Sequence, residues 1–492
     1  MKLIIINNTY HYETENLIRV FFPNEKIETV HENGEEGERF VKTKLSRTEN
    51  GVLIFVSARL SKEVKQLEKE FSSSEKLPQE SEDSFFERKI AQLLFKLLQS
   101  QTEYTPPWGI LTGVRPAKLM TTLCSELGEE KALEYFENEL FVSREKAELA
   151  LFVAKKEKPI IEESLKNSFS LYVSIPFCPT RCSYCSFVSH SNESAKKLIP
   201  KYVALLCKEI EETAKIASSL SLKLESVYIG GGTPTALPAG ELLRLTRAIS
   251  EHFDISSVRE YTIEAGRPDS IDEKKLEVIR QSGAGRISIN PQTFNNSVLE
   301  AIGRRHSAEM TEEAMLLARE HGFSNINMDL IAGLPTDTFE SFEKTLEKTL
   351  SFEPENITVH TLALKRSSTL VTEEKEKGSA LEAQKMLSFA FRKLTENGYE
   401  PYYMYRQSKC LGNLENVGWA KRGFECRYNV YMMEECHTVL ACGAGAVTKL
   451  RSPLSKDIER IFNFKYPYEY IDRFDELLER KKYVASFYEG KL

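Results

Sequence analysis

No stretch of this 492-residue chain approaches the roughly 20 consecutive apolar residues that a membrane-spanning helix requires. Its opening run, Met-Lys-Leu-Ile-Ile-Ile-Asn-Asn, carries too few apolar residues for a signal peptide. A basic excess is missing too: 66 Lys and Arg against 73 Asp and Glu leave a formal charge of -7, which argues against nucleic acid as the main partner. The nine cysteines are odd in number and unevenly spread, so they fit a reducing cytoplasm rather than a disulfide scaffold. There is no long low-complexity tract, and no repeat beyond an alternation of strands and helices. Gly443-Ala444-Gly445-Ala446 lacks the helix and distal acid of a dinucleotide fingerprint and reads as a tight turn. What is present is an ordinary globular composition, 41% hydrophobic and 28% charged, long enough for two or three domains.

Residues 1–165 read as a separate α+β domain. Leu3–Ile6 and Val52–Val56 are strand candidates, and Ser72–Ser84 is a Ser- and Glu-rich linker. Phe85–Leu98, Ala132–Phe141 and Lys146–Ala154 follow as helices. Two glycines and three prolines between Pro106 and Pro116 mark a special loop ahead of a helix. From 166 to 397 strands alternate with amphipathic helices. The strands are Leu171–Ile175, Ser226–Ile229, Tyr261–Glu264, Arg286–Ile289, Asn325–Ile331 and Ile357–Leu362. The helices are Lys201–Ala217, Leu242–His252, Glu273–Gln281, Ala308–Glu320 and Phe342–Leu350. Six such units predict an α/β fold built on an open six-unit parallel barrel, with the unusual residues at the C-terminal ends of its strands. Residues 398–492 change character and form a C-terminal α/β extension. Strands are expected at Tyr402–Tyr405 and Thr438–Ala441, and a charged helix at Tyr468–Lys481 behind Pro467.

The chemistry starts after the first barrel strand, in Phe177-Cys178-Pro179-Thr180-Arg181-Cys182-Ser183-Tyr184-Cys185. Three thiolates at C-x3-C-x2-C spacing cannot all form disulfides but can grip three corners of an iron–sulfur cubane. A 4Fe–4S cluster held by three protein ligands keeps one iron open. Zinc is the alternative, but a structural site wants four ligands and His190 leaves an odd spacing. After the second strand comes Gly230-Gly231-Gly232-Thr233-Pro234, which lets backbone approach a ligand closely. No Lys-Ser/Thr follows, so a Walker phosphate loop does not fit.

The cysteine triplet with Tyr184 and this glycine run resembles the radical S-adenosylmethionine superfamily. A narrower resemblance covers Leu171 to about Leu450. Tyr172-Val173-Ser174-Ile175-Pro176-Phe177-Cys178, Arg286 to Phe294, Gly303-Arg304-Arg305-His306 and Asp329 to Pro335 are similar to the oxygen-independent coproporphyrinogen III oxidase family. The extra N-terminal domain, with Pro107-Trp108-Gly109 and Arg115-Pro116, resembles its HemZ-type subgroup. The resemblance implies a 4Fe–4S cluster on Cys178, Cys182 and Cys185, and one or two molecules of S-adenosylmethionine. It implies cofactor contacts from Tyr172, Tyr184, Gly231, Gly232, Thr233, Glu264, Gln292, Arg304 and Asp329. A carboxylate there would hold ribose hydroxyls or the ammonium, and a guanidinium the methionine carboxylate. Departures from the family pattern are Ser174 in place of a histidine, Phe187 in place of a fourth cysteine, and the longer Ala-Gly-Arg-Pro after Glu264.

The implied activity is a cytoplasmic radical oxidoreductase that decarboxylates two propionates of coproporphyrinogen III to vinyl groups. A low-potential donor such as flavodoxin or ferredoxin is the expected partner, and a monomer the expected state. Arg115, Lys365, Arg366 and Arg406 are candidate cations for the substrate carboxylates, and His360 faces either the porphyrin or the barrel rim. One rival is another radical reaction on a tetrapyrrole, methyl transfer with ring opening. The second is haem chaperoning, whose His-Asn-x-x-Tyr-Trp motif corresponds here to Tyr428-Asn429-Val430-Tyr431-Met432-Met433. The histidine is gone, although His437 lies nearby, and the Met pair reads most simply as packing. Cys124 and Cys207 read as core thiols. Cys410, Cys426, Cys436 and Cys442 are too irregularly spaced for a clear second cluster.

Overall fold

Residues Met1–Phe152 with Arg406–Glu415 form one compact unit, and Val153–Tyr405 with Asn416–Leu492 form a second. The computed structural model describes every residue except 24, 33, 35, 50, 78, 79, 103, 186–189, 192–195, 365–367, 369, 371–377, 408, 456 and 490–492.

The first unit holds a five-stranded sheet of β1 (Lys2–Ile6), β2 (Glu28–His31), β3 (Phe40–Arg47), β4 (Gly51–Arg59) and β5 (Val64–Ser72), in the order β2-β1-β3-β4-β5. β1 runs parallel to β2 and β3, while β3, β4 and β5 are antiparallel. In β4 the alternate residues Val52, Ile54, Val56 and Ala58 are buried. This two-residue period gives the sheet one apolar face. The helix Glu82–Thr102 packs on that strand and buries Phe85, Phe86, Ile90, Leu93, Leu94, Leu97 and Leu98. The special loop is a built feature. Gly109 sits at φ +54, and a Cβ there would lie 2.0 Å from the Leu140 carbonyl oxygen. Trp108 is buried, and its Nε1 donates to Glu415 Oε2 at 2.7 Å, while Lys146 Nζ lies 2.6 Å from Glu415 Oε1. The Arg406 guanidinium lies over the Trp108 ring at 5.2 Å and donates to the carbonyls of Leu111, Gly113 and Asn413. Its donors are thus committed within this unit, which corrects the expectation that it binds substrate carboxylates.

In the second unit the strand–helix alternation becomes an eleven-stranded sheet. Its parallel heart is β6 (Ser168–Ile175), β9 (Lys223–Gly231), β10 (Glu260–Gly266), β11 (Arg286–Ile289), β12 (Ile326–Ala332) and β13 (Asn356–Thr361), adjacent in chain order. A two-residue parallel pair, β7 (Phe177–Cys178) and β8 (His190–Ser191), brackets the cysteine run. The crossover helices are Ile199–Ser219, Ala239–His252, Glu273–Gln281, Ala308–Glu320 and Phe339–Ser351. Three start on side-chain caps: Asp272, Ser307 and Thr338 accept from the backbone N–H groups of Lys275, Met310 and Ser341. This is the six-unit α/β barrel read from the sequence.

The last residues extend both ends of the sheet. Next to β13 lies antiparallel β15 (Glu415–Ala420), with β14 (Glu400–Arg406) outside it. Next to β6 lies parallel β16 (Thr438–Cys442), followed by antiparallel β17 (Val447–Arg451) and β18 (Ile458–Phe462). The expected terminal helix is two, Pro467–Asp472 and Phe474–Tyr488, with Pro467 in the first turn. Buried Glu209 ties these parts together. It accepts from the Gly443 N–H, Asn463 Nδ2 and Tyr470 OH, and lies 3.0 Å from Lys481 Nζ. Among the described residues no helix is long and apolar enough to cross a membrane.

Candidate active site

Cys178, Cys182 and Cys185 line one cavity of about 550 Å³ whose walls also include barrel-strand residues from Arg286, at the start of β11, to Gly231, at the end of β9. Cys178 ends β7, just past the end of β6, and the glycine run leaving β9 meets it there. Gly232 N–H donates to the Ile175 carbonyl at 2.7 Å, and Thr233 N–H to that of Phe177 at 2.8 Å. A Cβ on Gly232 would lie 2.6 Å from the Phe177 oxygen and 3.0 Å from Cys178 Sγ, so only glycine permits this approach. Thr233 Oγ1 donates to Cys178 Sγ at 3.5 Å.

Two guanidiniums bring positive charge to the cysteine loop. Arg267 Nη1 lies 3.5 Å from Cys182 Sγ, and its Nε and Nη2 hold Asp269 at 3.0 Å each. Arg304 Nη1 donates to the Asn290 carbonyl at 2.7 Å and Nη2 to Tyr184 OH at 3.2 Å. Among the described residues no three His, Cys, Asp or Glu side chains converge as they would around a single metal ion. Three thiols lining one cavity, with the Arg267 guanidinium against one of them, fit a cubane whose corners each take one thiolate.

The same cavity holds two carboxylates with different proton affinities. Burial pushes the Glu264 carboxyl up to about 7, and the Asp329 charge adds to it; the hydrogen bond from Tyr228 OH and the charges of Arg286 and His360 act the other way. That hydrogen bond is 2.6 Å long. Burial also pushes Asp329 upward, but the facing His360, the Asn327 amide and Arg286 together hold it below its ordinary value. Asn327 Nδ2 donates to Asp329 Oδ1 at 2.7 Å, and His360 Nε2 lies 3.7 Å from Oδ2. The other ring nitrogen of His360 is 3.4 Å from Tyr405 OH. His360 therefore lines the cavity.

Three tyrosines form a stacked wall. Tyr228 and Tyr428 are 4.4 Å apart between ring centroids, Tyr172 and Tyr428 6.1 Å, and Tyr172 and Tyr228 6.4 Å. Tyr428 stands at the haem-histidine position and is packed into this stack. It begins the helix Arg427–Glu434, whose start is capped by Glu260: Arg427 N–H donates at 2.7 Å and the Cys426 thiol at 3.2 Å. From this helix Asn429, Met432 and Met433 reach the cavity, so the Met pair is part of its wall. His437 is a core histidine. Its ring nitrogens lie 2.8 Å from Ser164 Oγ and 2.7 Å from Ser170 Oγ, and burial pushes its pKa down to about 3. It does not serve as a haem ligand in this arrangement.

Of the residues singled out in the sequence, Tyr172, Tyr184, Gly231, Gly232, Thr233, Glu264, Arg304 and Asp329 line the cavity with the three cysteines. Gln292 does not; it is buried at φ +67, its N–H bonded to the Asp329 carbonyl at 2.9 Å and its Oε1 without a partner. Phe187, Lys365 and Arg366 lie outside the described residues. Sequence reasoning missed Arg267, Tyr228, Arg286 and Asn429. The lengthened Ala-Gly-Arg-Pro segment was the signal for Arg267, since it places that guanidinium on Cys182. The turn at Gly443–Ala446 also reaches the site: Ser174 Oγ donates to the Ala444 carbonyl at 2.9 Å, and Gly445 lines the cavity.

The radical SAM superfamily model matches residues 172–349. The chain is 35% identical over 496 residues to the oxygen-independent coproporphyrinogen-III oxidase-like protein HemZ of Bacillus subtilis (strain 168), covering 99% of this chain and 97% of that protein. It is 30% identical over 293 residues to the heme chaperone HemW of Lactococcus lactis, covering 58% of this chain and 72% of that protein. Among solved structures, coproporphyrinogen III oxidase (HemN) from Escherichia coli matches with a TM-score of 0.51 at 24% identity, over 65% of this chain and 71% of that one. That match supports the barrel fold. The cofactors of such proteins are a 4Fe–4S cluster and S-adenosylmethionine, and the donor set above fits both. This chain belongs to the radical SAM superfamily, in the group of oxygen-independent coproporphyrinogen-III oxidase-like proteins.

Proposed function

We propose that this protein oxidatively decarboxylates two propionates of coproporphyrinogen III to vinyl groups without oxygen. The observation that carries the proposal is one cavity lined by two chemically different sets of groups. Three cysteines, a glycine loop, Arg304 and two carboxylates make up the first, and Tyr403, Tyr405, Tyr428, Met432 and Met433 the second. The two meet where Tyr228 bonds Glu264 and where His360 lies between Asp329 and Tyr405. The first set suits a cluster and a zwitterionic, ribose-bearing cofactor. The second suits a flat, largely apolar macrocycle.

Cys178, Cys182 and Cys185 hold the cluster, and Gly231, Gly232 and Thr233 lie against the methionine amino group. Glu264 and Asp329 serve the ammonium and the ribose, Arg304 the methionine carboxylate, and Tyr172, Tyr184 and Gln292 complete the surround. When bound, the cluster and S-adenosylmethionine would supply the one-electron chemistry that removes a hydrogen atom from the propionate carbon next to the ring. Carbon dioxide and one electron then leave the substrate, the electron to an external acceptor. The nine free cysteines suit a cytoplasmic setting with a low-potential protein donor.

The test is an anaerobic assay of the reconstituted protein with S-adenosylmethionine, a reductant and coproporphyrinogen III, read by mass spectrometry. Stepwise loss of two carboxyl groups, abolished by Cys182→Ala, is the expected result. Release of deoxyadenosine with the porphyrinogen intact would refute the substrate and turn attention to haem. Relatedness to heme chaperones keeps stable haem binding as the second reading, although Tyr428 fills the histidine position.

A further inference from the structure

The cavity wall does not stop at the tyrosine stack. Tyr228 on β9 pairs with Tyr172 on β6, and Tyr172 with Ala441 on β16. Val439 stands opposite Lys449, which puts Ala441 beside Val447 on β17, and Val447 pairs with Phe462 on β18. Residues paired directly across a sheet share one face. One row of side chains therefore crosses five strands, from the stacked tyrosines to the sheet edge. The other face is fixed independently. Leu450 of β17 and Ile461 of β18 pack into the core that also holds Leu206 and Leu477 of the helices Ile199–Ser219 and Phe474–Tyr488. Strand alternation then turns Val447, Lys449, Arg460 and Phe462 to the cavity side, and Val447 lines the cavity.

The row opens to solvent along its length. Ala441 is buried, Val447 is half-buried and Phe462 is 59% exposed. A lone exposed apolar side chain means little, but this one continues a cavity wall outward. Beside it two cations share one carboxylate. Arg460 Nη2 donates to Glu435 Oε1 at 2.7 Å, and Lys449 Nζ to the same oxygen at 3.2 Å. Glu435 ends the helix Arg427–Glu434, whose Met432 and Met433 line the cavity. The Arg460 side chain is 42% exposed, so its guanidinium is open to a second anion.

We propose that Phe462 and Arg460 form a shelf beside the cavity that seats the outer edge of the tetrapyrrole. The Phe462 ring lies against the macrocycle, and the Arg460 guanidinium takes one carboxylate arm. This assignment rests on the tetrapyrrole reading. Phe462 stands three strands out from Tyr172, roughly 14 Å along the sheet. Arg460 is not among the charges that shift Glu264 or Asp329. The shelf is thus separable from the cofactor site.

The test uses the reconstituted full-length protein and two stable probes, coproporphyrin III and its tetramethyl ester. Phe462→Ala is expected to weaken binding of acid and ester alike, at least fivefold. Phe462→Leu keeps an apolar side chain without the ring, and carries the test with at least a twofold loss where Phe462→Ala does not fold. Arg460→Gln is expected to weaken the acid at least threefold and to leave the ester unchanged. S-adenosylmethionine binding and cluster absorbance should match wild type in all three. Equal porphyrin binding by wild type and variants overturns the shelf alone. An equal loss of acid and ester in Arg460→Gln overturns the carboxylate contact, and a loss of S-adenosylmethionine affinity makes both residues supports of the fold and overturns the proposal. A wild-type protein that binds neither porphyrin overturns the substrate reading and the shelf together.

Discussion

Tyr228→Phe isolates one hydrogen bond. The ring stays stacked on Tyr428, and only the hydroxyl that donates to Glu264 at 2.6 Å is lost. That donor favours the charged carboxylate, which burial otherwise holds at about 7. A hydrogen bond to a charged group contributes about 1.5–3 kcal/mol, and each pH unit of titration corresponds to ~1.4 kcal/mol. Without the hydroxyl, Glu264 should ionise about 1–2 pH units higher, near 8–9. If the carboxylate holds the ammonium of S-adenosylmethionine, binding is bell-shaped in pH. Glu264 sets the acid limb, and the ligand amino group, titrating near ~8, sets the alkaline limb. Affinity in the variant should then fall about 5- to 50-fold at pH 7, but no more than about twofold at pH 9. Equilibrium binding of S-adenosylmethionine to the cluster-loaded protein between pH 6 and 9.5 measures both limbs. Tyr428→Phe, whose hydroxyl makes no bond to Glu264, should leave the bell in place. An equal loss at pH 7 and 9 would mean that the hydroxyl only fills space, and no loss would remove Glu264 from the ammonium.

Two further outcomes follow from buried charge. Glu264 in the folded chain titrates at about 7 against an ordinary 4.5, so its ionisation opposes folding above pH 7 and has no effect below about 4.5. Glu264→Gln should therefore stabilise the cofactor-free protein by up to ~3 kcal/mol at pH 8 and by little at pH 4.5, measured by denaturant unfolding; an equal gain at both would refute the ionisation argument. Lys146 and Glu415 are each 2% exposed on their side chains and pair at 2.6 Å. Lys146→Met leaves the carboxylate buried with Trp108 alone and should destabilise the first unit by about 3–5 kcal/mol, followed through Trp108 fluorescence in a Trp419→Phe background; an unchanged midpoint would count against the pair.

The barrel was legible because its signals are local. Arg286–Ile289, Glu273–Gln281 and Ala308–Glu320 fall where period and caps put them, since each crossover helix carries its own apolar face and its own start residue. The cofactor end was legible for a related reason: the thiols and the glycine run sit at strand ends in sequence and in space. The rest depends on partners far along the chain. The helix Arg427–Glu434 lacks a helical cap of its own and starts on Glu260, a residue of another strand. β15, β17 and β18 are short, and their places are fixed by neighbours more than by pattern, whereas β16 falls where the sequence put a strand. Arg286 reads in sequence as the start of a strand; only the structure shows it buried with two of its nitrogens unpaired. His437 read as a candidate ligand because the serines that hold it lie more than 260 residues away.

The pairing of β16 with β6 has a consequence for synthesis. Phe169 finds Thr438 as its strand neighbour, and Val173 finds Cys442. The first barrel strand thus emerges from the ribosome with one edge bare, and stays so until nearly the whole chain has been made. Its native neighbour arrives last, across a very long loop, which makes this a slow, high-contact-order step. Through the Gly443–Ala446 turn that follows β16, the same late arrival completes the wall beside Ser174. A nascent chain halted before residue 438 therefore has its cysteines but not the turn that packs beside Ser174, and is the form most exposed to aggregation.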